Sequence, residues 1–354
     1  MHTRDDAGPA GPPLIVPIFI PHRGCPHRCI FCNQHAITGK AARMPPADQI
    51  QEEVNRFLKY GKKRPSEVQI SFFGGNFLGL ARETIQSLLG AAMPFVRATD
   101  VDSIRFSTRP DTVSQDSLNL LDGFPVSTVE LGVQSMNDLV LDTAGRGHRA
   151  LDTQAAAGLL KNRGYEVGLQ MMVGLPGDDD DGAMETARRI AALGPDFVRI
   201  YPTLVLAGSQ LASRFRDGRY RPMALAACVT LVKRLFLYFK ARHIPVVRMG
   251  LQAADGLTRK GGLIAGPYHP AFGHLVHGEI VLDAVSSALD RMEKRPDRLI
   301  ISVHPRMVSR VQGLHKQNID RLKRSFALEK IVLLQDAHLA ENQLMVAGQH
   351  VTLP

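Results

Sequence analysis

Tryptophan is absent from the 354 residues, and aromatics make up only 6%. A large core must therefore come from aliphatic side chains. Cysteine is scarce too, with four in the chain. A disulfide-stapled scaffold is short, rich in cysteine and evenly paired, so that class is excluded. The first dozen residues, MHTRDDAGPAGP, hold no apolar run, and no secretory signal is expected. Long apolar runs are missing elsewhere. The most apolar helical stretch, Met223 to Phe239, carries Lys233 and Arg234 at its middle and is a poor membrane span. These absences point to a cytoplasmic protein with no membrane partner. What is present suits a globular chain: 44% hydrophobic and 22% charged residues exclude disorder as the main state. Lys and Arg number 43 against 34 Asp and Glu, a net charge of +9. That balance permits binding of nucleic acid or an acidic substrate without demanding it.

The length suits two domains, or one barrel with an extension. Residues 1–13, rich in Pro, Gly and charge, read as a flexible tail. Short apolar runs follow at Leu14–Ile20, Val68–Phe73, Ser103–Ser107, Thr128–Val133, Val167–Val173 and Phe197–Tyr201. Helical segments separate them near 47–60, 81–97, 114–122, 151–163 and 182–193. Such alternation predicts parallel strands joined by right-handed crossovers. Six units suit a partial (βα)6 barrel of the TIM type over residues 14–250, closed by a helix at 223–242 and a strand at Val246–Met249. The pattern changes near residue 251. A glycine-rich stretch, a helix at 279–293, a strand at Leu299–His304, basic helical segments and two short strands near 330–335 and 343–347 predict a smaller α/β extension over 251–354.

The strongest chemical signal is Cys25-Pro-His-Arg-Cys29-Ile-Phe-Cys32. It follows the first predicted strand, so it sits at that strand's C-terminal end, where parallel α/β barrels build their active sites. Three thiolates at this spacing can hold three irons of a [4Fe–4S] cluster. Four cysteines are usual, so one iron would stay open, as catalysis requires. Zinc is the rival: His35, His22 or His27 could complete a Cys3His site. In that case the chain would be a zinc-stabilised RNA-binding protein on a barrel remnant.

The cysteine motif, with Phe31 before its last cysteine, resembles that of the radical S-adenosylmethionine (SAM) enzymes. The resemblance implies that SAM chelates the open iron. An electron from an external flavodoxin- or ferredoxin-type donor then splits SAM into methionine and a 5′-deoxyadenosyl radical. Further motifs fall in order at successive strand ends. Ser71-Phe-Phe-Gly74-Gly75-Asn76 resembles the glycine motif that meets the SAM amino group, with Asn76 where Glu, Thr or Ser is more usual. Ser107-Thr-Arg109-Pro-Asp111 follows the third strand. There Arg109 could hold the SAM carboxylate or a substrate phosphate, or simply pair with Asp111. Glu130-Leu-Gly-Val-Gln134 and Arg146-Gly-His148 are similar to the part of elongator-like and coproporphyrinogen-oxidase-like members that surrounds the SAM ribose and carboxylate. Met171-Met-Val173-Gly174 resembles the fifth-strand motif beside adenine. The motif set is closest to elongator-like members, whose relatives modify the wobble uridine of tRNA, so tRNA is the implied partner. The stretch after the barrel is too short for a full-size acetyltransferase domain. A porphyrin-type substrate is the alternative.

Other signals are weaker. Tyr268 and His269 could face a substrate. His269, His274 and His277 lack a clear partner for a second metal. Asp178–Asp181 reads as a solvated loop, and Cys228 as a small core residue. Arg306, Arg310, Lys316, Arg321, Lys323 and Arg324 could track a phosphate backbone or form a solvated basic face.

Overall fold

The computed structural model describes residues 13–20, 24–33, 43–60, 65–251 and 262–354. The expected tail, apart from Pro13, lies outside the described residues, as do His22 and His35. The strands are β1 (Leu14–Ile20), β2 (Val68–Gly74), β3 (Ser103–Thr108), β4 (Val126–Gln134), β5 (Glu166–Val173), β6 (Phe197–Pro202), β7 (Val205–Leu206), β8 (Val246–Met249), β9 (Leu263–Ala265), β10 (Arg298–Val303), β11 (Lys330–Gln335), β12 (Gln343–Val346) and β13 (Gln349–Thr352). The helices are α1 (Ala47–Tyr60), α2 (Arg82–Arg97), α3 (Gln115–Asn119), α4 (Asp138–Thr143), α5 (Ala150–Asn162), α6 (Asp180–Ala192), α7 (Gln210–Arg216), α8 (Leu225–Lys240), α9 (Phe272–Asp290), α10 (Val308–Gln312) and α11 (Gln317–Phe326).

Seven strands pair in parallel in the order β1-β2-β3-β4-β5-β6-β8 and curl into a half-barrel. One parity of side chains builds the core under the helices: Ile70 and Phe72, Ile104 and Phe106, Val129 and Leu131, Leu169 and Met171, Val198 and Ile200 are all essentially buried there. The other parity lines the concave face and is largely polar. The curl is visible in one contact. β2 and β6 are four strand spacings apart, about 19 Å on a flat sheet. Yet the Arg199 guanidinium on β6 lies 5.6 Å from the centre of the Phe73 ring on β2. Two side chains cannot span the flat distance, so the sheet must bend round.

A second sheet, β11-β10-β12-β13, forms a separate unit with its own core of Leu299, Ile301, Val303, Leu344 and Val346. Helix α9 joins the two cores. Its first half (Phe272, Leu275, Val276, Ile280) packs in the barrel core, and its second half (Val281, Leu282, Val285, Leu289) in the other. This corrects the expected helix at 279–293, which begins seven residues earlier. A helix buried by two different cores is apolar all round and loses the period that marks its start. The short pair β7–β9, helices α4 and α7, and β13 carry no sequence signal of their own, because two- to seven-residue elements have too little periodicity.

Candidate functional site

Residues 24–33 leave the C-terminal end of β1 and run across the strand ends. The loop is tied down at three places. At its start, the buried Asn76 amide donates to the Gly24 carbonyl (2.6 Å). Asn76 Oδ1 accepts from the Thr108 hydroxyl (2.7 Å) and the Arg109 backbone N–H (2.9 Å). Gly24 has φ +81°, and a Cβ there would lie 2.4 Å from the Asn76 carbonyl oxygen, so only glycine fits. In its middle, Ile30 N–H donates to Ala144 O (3.0 Å), and Gly147 carries the His27 ring where a Cβ would stand 2.2 Å from it. At its end, the Leu211 N–H donates to Ile30 O (2.8 Å), and Asn33 donates to Ala207 O (2.5 Å). Ile30 is buried against Val205, Leu211 and Tyr220, and Phe31 packs against Met172 and Leu175.

Cys25, Cys29 and Cys32 are half-buried on this loop, and each lies within electrostatic reach of the others. Burial raises the Cys25 thiol above its ordinary value, opposed by Arg109 and Arg146. Burial also pushes Cys32 up to about 12, and its two neighbouring cysteines add to the rise. Arg146 Nη1 donates to Cys29 Sγ (3.2 Å), and Arg109 Nη1 stands 3.9 Å from the same sulfur. The two fixed positive charges oppose the desolvation of anionic sulfur without outweighing it. Among the described residues no three His, Cys, Asp or Glu groups converge on a point that one metal ion would fill.

The two arginines are themselves held. Arg109 forms a bidentate pair with Asp111 (2.9 and 2.9 Å) and reaches the Arg146 carbonyl. The pairing with Asp111 and the approach to the cysteines thus coexist. Arg146 donates to the Gly132 carbonyl, while its Nε is buried with no partner among the described residues. His148, 2% exposed, is pushed down to about 3 by burial and by the charges of Arg146 and Arg109, so it is neutral near pH 7.

The remaining expected positions sit along the same edge. Gly74 (φ +109°) ends β2 and Gly75 follows it, beside the Asn76 tether. Ser107, half-buried on β3, stands opposite Glu130. Gln134 ends β4 with φ +67°, where a bulge interrupts the pairing with β5, and accepts from Gln170 (3.3 Å). Val173 is a core side chain, so its backbone is what faces the edge. Gly174 (φ +74°) gives its carbonyl to the Tyr220 hydroxyl (2.8 Å). The expected Asp178–Asp181 loop is corrected: Asp179 caps α6 by accepting from the Gly182 N–H (2.7 Å), and Asp180 and Asp181 form its first turn. Cys228 is buried in the barrel core.

Sequence reasoning missed the floor of the half-barrel. There Arg105 and Arg199 both grip Glu130, at 2.6 Å each. A charged residue in the middle of a short strand, as in SIRFST and FVRIYP, was the available signal.

Comparison with known proteins follows this geometry. A family model described as the radical SAM superfamily matches residues 19–190, and one described as the radical SAM C-terminal domain matches 195–281. The chain belongs to the radical SAM superfamily and is an enzyme of that class. Among its relatives is an uncharacterized protein of Methanocaldococcus jannaschii, 29% identical over 222 residues, 59% of this chain and 67% of the relative. A tRNA uridine(34) acetyltransferase of the same organism is 25% identical over 247 residues, 59% of this chain and 46% of its own length. Elongator complex protein 3 of Saccharomyces cerevisiae is 26% identical over 279 residues, 64% of this chain and 50% of that protein. The matches thus span about half the length of these two named relatives. The solved structure of Elp3 from Methanocaldococcus infernus, lacking its N-terminus, shares the fold with a TM-score of 0.59 at 21% identity, covering 77% of this chain and 63% of that one. Among the described residues no helix is long and apolar enough to cross a membrane.

Proposed function

We propose that Cys25, Cys29 and Cys32 hold a [4Fe–4S] cluster, that SAM binds along the adjoining strand ends, and that the substrate is a tRNA modified on a base. The observation that carries the first part is the tethered loop: three thiols on eight residues, with two guanidiniums aimed at Cys29 Sγ. The donor set fits the group. Residues Cys25, Cys29 and Cys32 would hold the cluster, which with SAM would supply radical hydrogen-abstraction chemistry there. The chain's own part is binding, orientation and exclusion. Arg146, with its unpartnered buried Nε, offers a charge-assisted donor to a carboxylate. Gly74 and Gly75 let backbone approach a ligand closely. Gln134, fixed by its strained φ and by Gln170, presents an amide at the end of β4. Phe31, packed on Met172 and Leu175, closes one side against water. An external flavodoxin- or ferredoxin-type protein would supply the electron.

The tRNA reading is supported by the names of two relatives and by the exposed bases Lys316 and Arg324 on and beside α11. Two other bases of that group are taken: Arg306 pairs with Glu341, and Arg321 with Glu279. The test is anaerobic reconstitution, assay of iron and sulfide, reduction, addition of SAM, and quantification of 5′-deoxyadenosine with and without bulk tRNA. A brown, sulfide-containing protein whose cleavage is stimulated by tRNA, and a Cys29→Ala variant lacking both, is the expected result. One zinc per chain without sulfide would overturn the cluster; cleavage indifferent to tRNA would overturn the substrate.

A further inference from the structure

The concave face of the half-barrel carries an unbalanced charge. Arg105 on β3 and Arg199 on β6 share the one carboxylate of Glu130 on β4. Arg248 on β8 lies beside Arg199 in the strand register, on the same face, its Nε donating to the Gly250 carbonyl (3.1 Å). Among the described residues, three guanidiniums therefore face one carboxylate. Two further acids among the described residues lie at the N-terminal ends of the strands and are engaged there: Glu67 accepts from Gln69 and Ser103, and Glu166 from Thr128. Arg105 and Glu130 are almost wholly buried, so their charges gain little from water. Charge buried in excess is costly unless an opposite charge joins it. Ser71 Oγ, wholly buried on the strand beside Arg105, has no partner among the described residues.

The same face has an aromatic wall. Phe19 on β1 is 37% exposed and pairs with Phe73 on β2 at 6.4 Å between ring centres. Arg199 lies over the Phe73 ring from across the lumen. A flat apolar surface and a guanidinium cluster thus meet in one concavity of a sheet in which, among the described residues, β1 and β8 do not pair.

We infer that the lumen is selective for an anionic, planar substrate group: Arg199 and Arg248 bind its phosphate or carboxylate, and Phe19 and Phe73 stack its ring. This deepens the proposed function and rests on its reading of the chain as an enzyme that modifies a base. A nucleotide of RNA would bring phosphate, and a porphyrin would bring carboxylates; the charge pattern selects for what the two share.

The test is calorimetric titration of the intact protein with uridine, uridine 5′-monophosphate and coproporphyrin III. An anionic probe should bind about tenfold or more tighter than uridine, as one or two charge-assisted contacts imply. Arg248→Ala should remove most of that difference, and Phe19→Ala should weaken both nucleoside and nucleotide. Arg248 is half-buried on the edge strand, so its loss spares the fold, whereas Arg199→Gln would also remove one of the two partners of buried Glu130. Tight binding of the nucleotide assigns phosphate, and tight binding of the porphyrin alone assigns carboxylate. Equal affinity for uridine and its monophosphate with no porphyrin binding, or an unchanged Arg248→Ala, overturns the inference. Failure of the cluster assay with anion selectivity intact would sink the proposed function and leave this site standing. A loaded, SAM-cleaving protein without anion selectivity would do the reverse.

Discussion

The two sheets of this chain use polar residues in opposite ways. In the C-terminal unit, the face of the sheet turned to α9 is apolar, and the other face, with Ile300 and Leu334, is exposed. Its charged groups lie at the surface, where pairs such as Arg306–Glu341 contribute little to stability. In the half-barrel, one face is equally apolar, but the concave face buries Gln69, Ser71, Arg105 and Glu130. Its strand ends carry five positive-φ or tethered positions: Gly24, Gly74, Gln134, Gly147 and Gly174. Buried polar groups of this kind rarely add stability, and they are where function is to be sought. One region is built to fold, while the other accepts a cost in order to present a site.

Variants can sharpen that contrast. The largest effect on stability is expected from Leu299→Ala, wholly buried in the second core. A loss of about 2–5 kcal/mol in urea unfolding is expected. Iron bound per folded chain should stay at the native value, since Leu299 touches nothing at the cysteines. A fall in iron per folded chain would mean that the two regions are not energetically distinct. Next comes Asn76→Ala, which strands the Gly24 carbonyl and the Arg109 N–H inside the fold. About 2–3 kcal/mol of destabilisation is expected, together with poor iron uptake, because the cysteine loop loses its first tether. Normal iron uptake by a folded Asn76→Ala protein would show that the loop is held elsewhere.

The smallest effect concerns Asp178, whose carboxyl is raised to about 6, chiefly by burial. In the unfolded chain it titrates near 4. Its contribution to stability is therefore complete below about pH 4 and is lost as the pH rises through about 6. Asp178→Asn should raise Tm by about 1–3 °C at pH 7.5, and by less at pH 5. An equal change at both pH values would show that the carboxyl is not desolvated.

Much of this could be read along the chain. The first six strands match the apolar runs to within two residues at each end, because a strand buried on the helix side has to show apolar side chains at every second position. The cysteine loop falls at the end of β1, as its position after the first run implies. The glycine motif puts Asn76 beside the ligand. In the structure its oxygen receives Thr108 and Arg109 and its amide holds Gly24, three contacts spread over more than 80 residues of sequence. No local pattern encodes such a knot. The start of α9 was hidden for a related reason, since two cores bury it from opposite sides.

By itself, then, the sequence determined the order of the first six strands and the helices between most of them, the spacing of three thiols and the family to which the chain belongs. These are local matters of periodicity and ligand type. Only the tertiary structure decided which charges meet. Arg105, Glu130 and Arg199 are 94 residues apart from first to last, and they touch because the sheet curls. Their imbalance, and the guanidiniums of Arg109 and Arg146 at Cys29, follow from a curvature that no stretch of sequence states, because it is set by the packing of helices on the far side of the sheet.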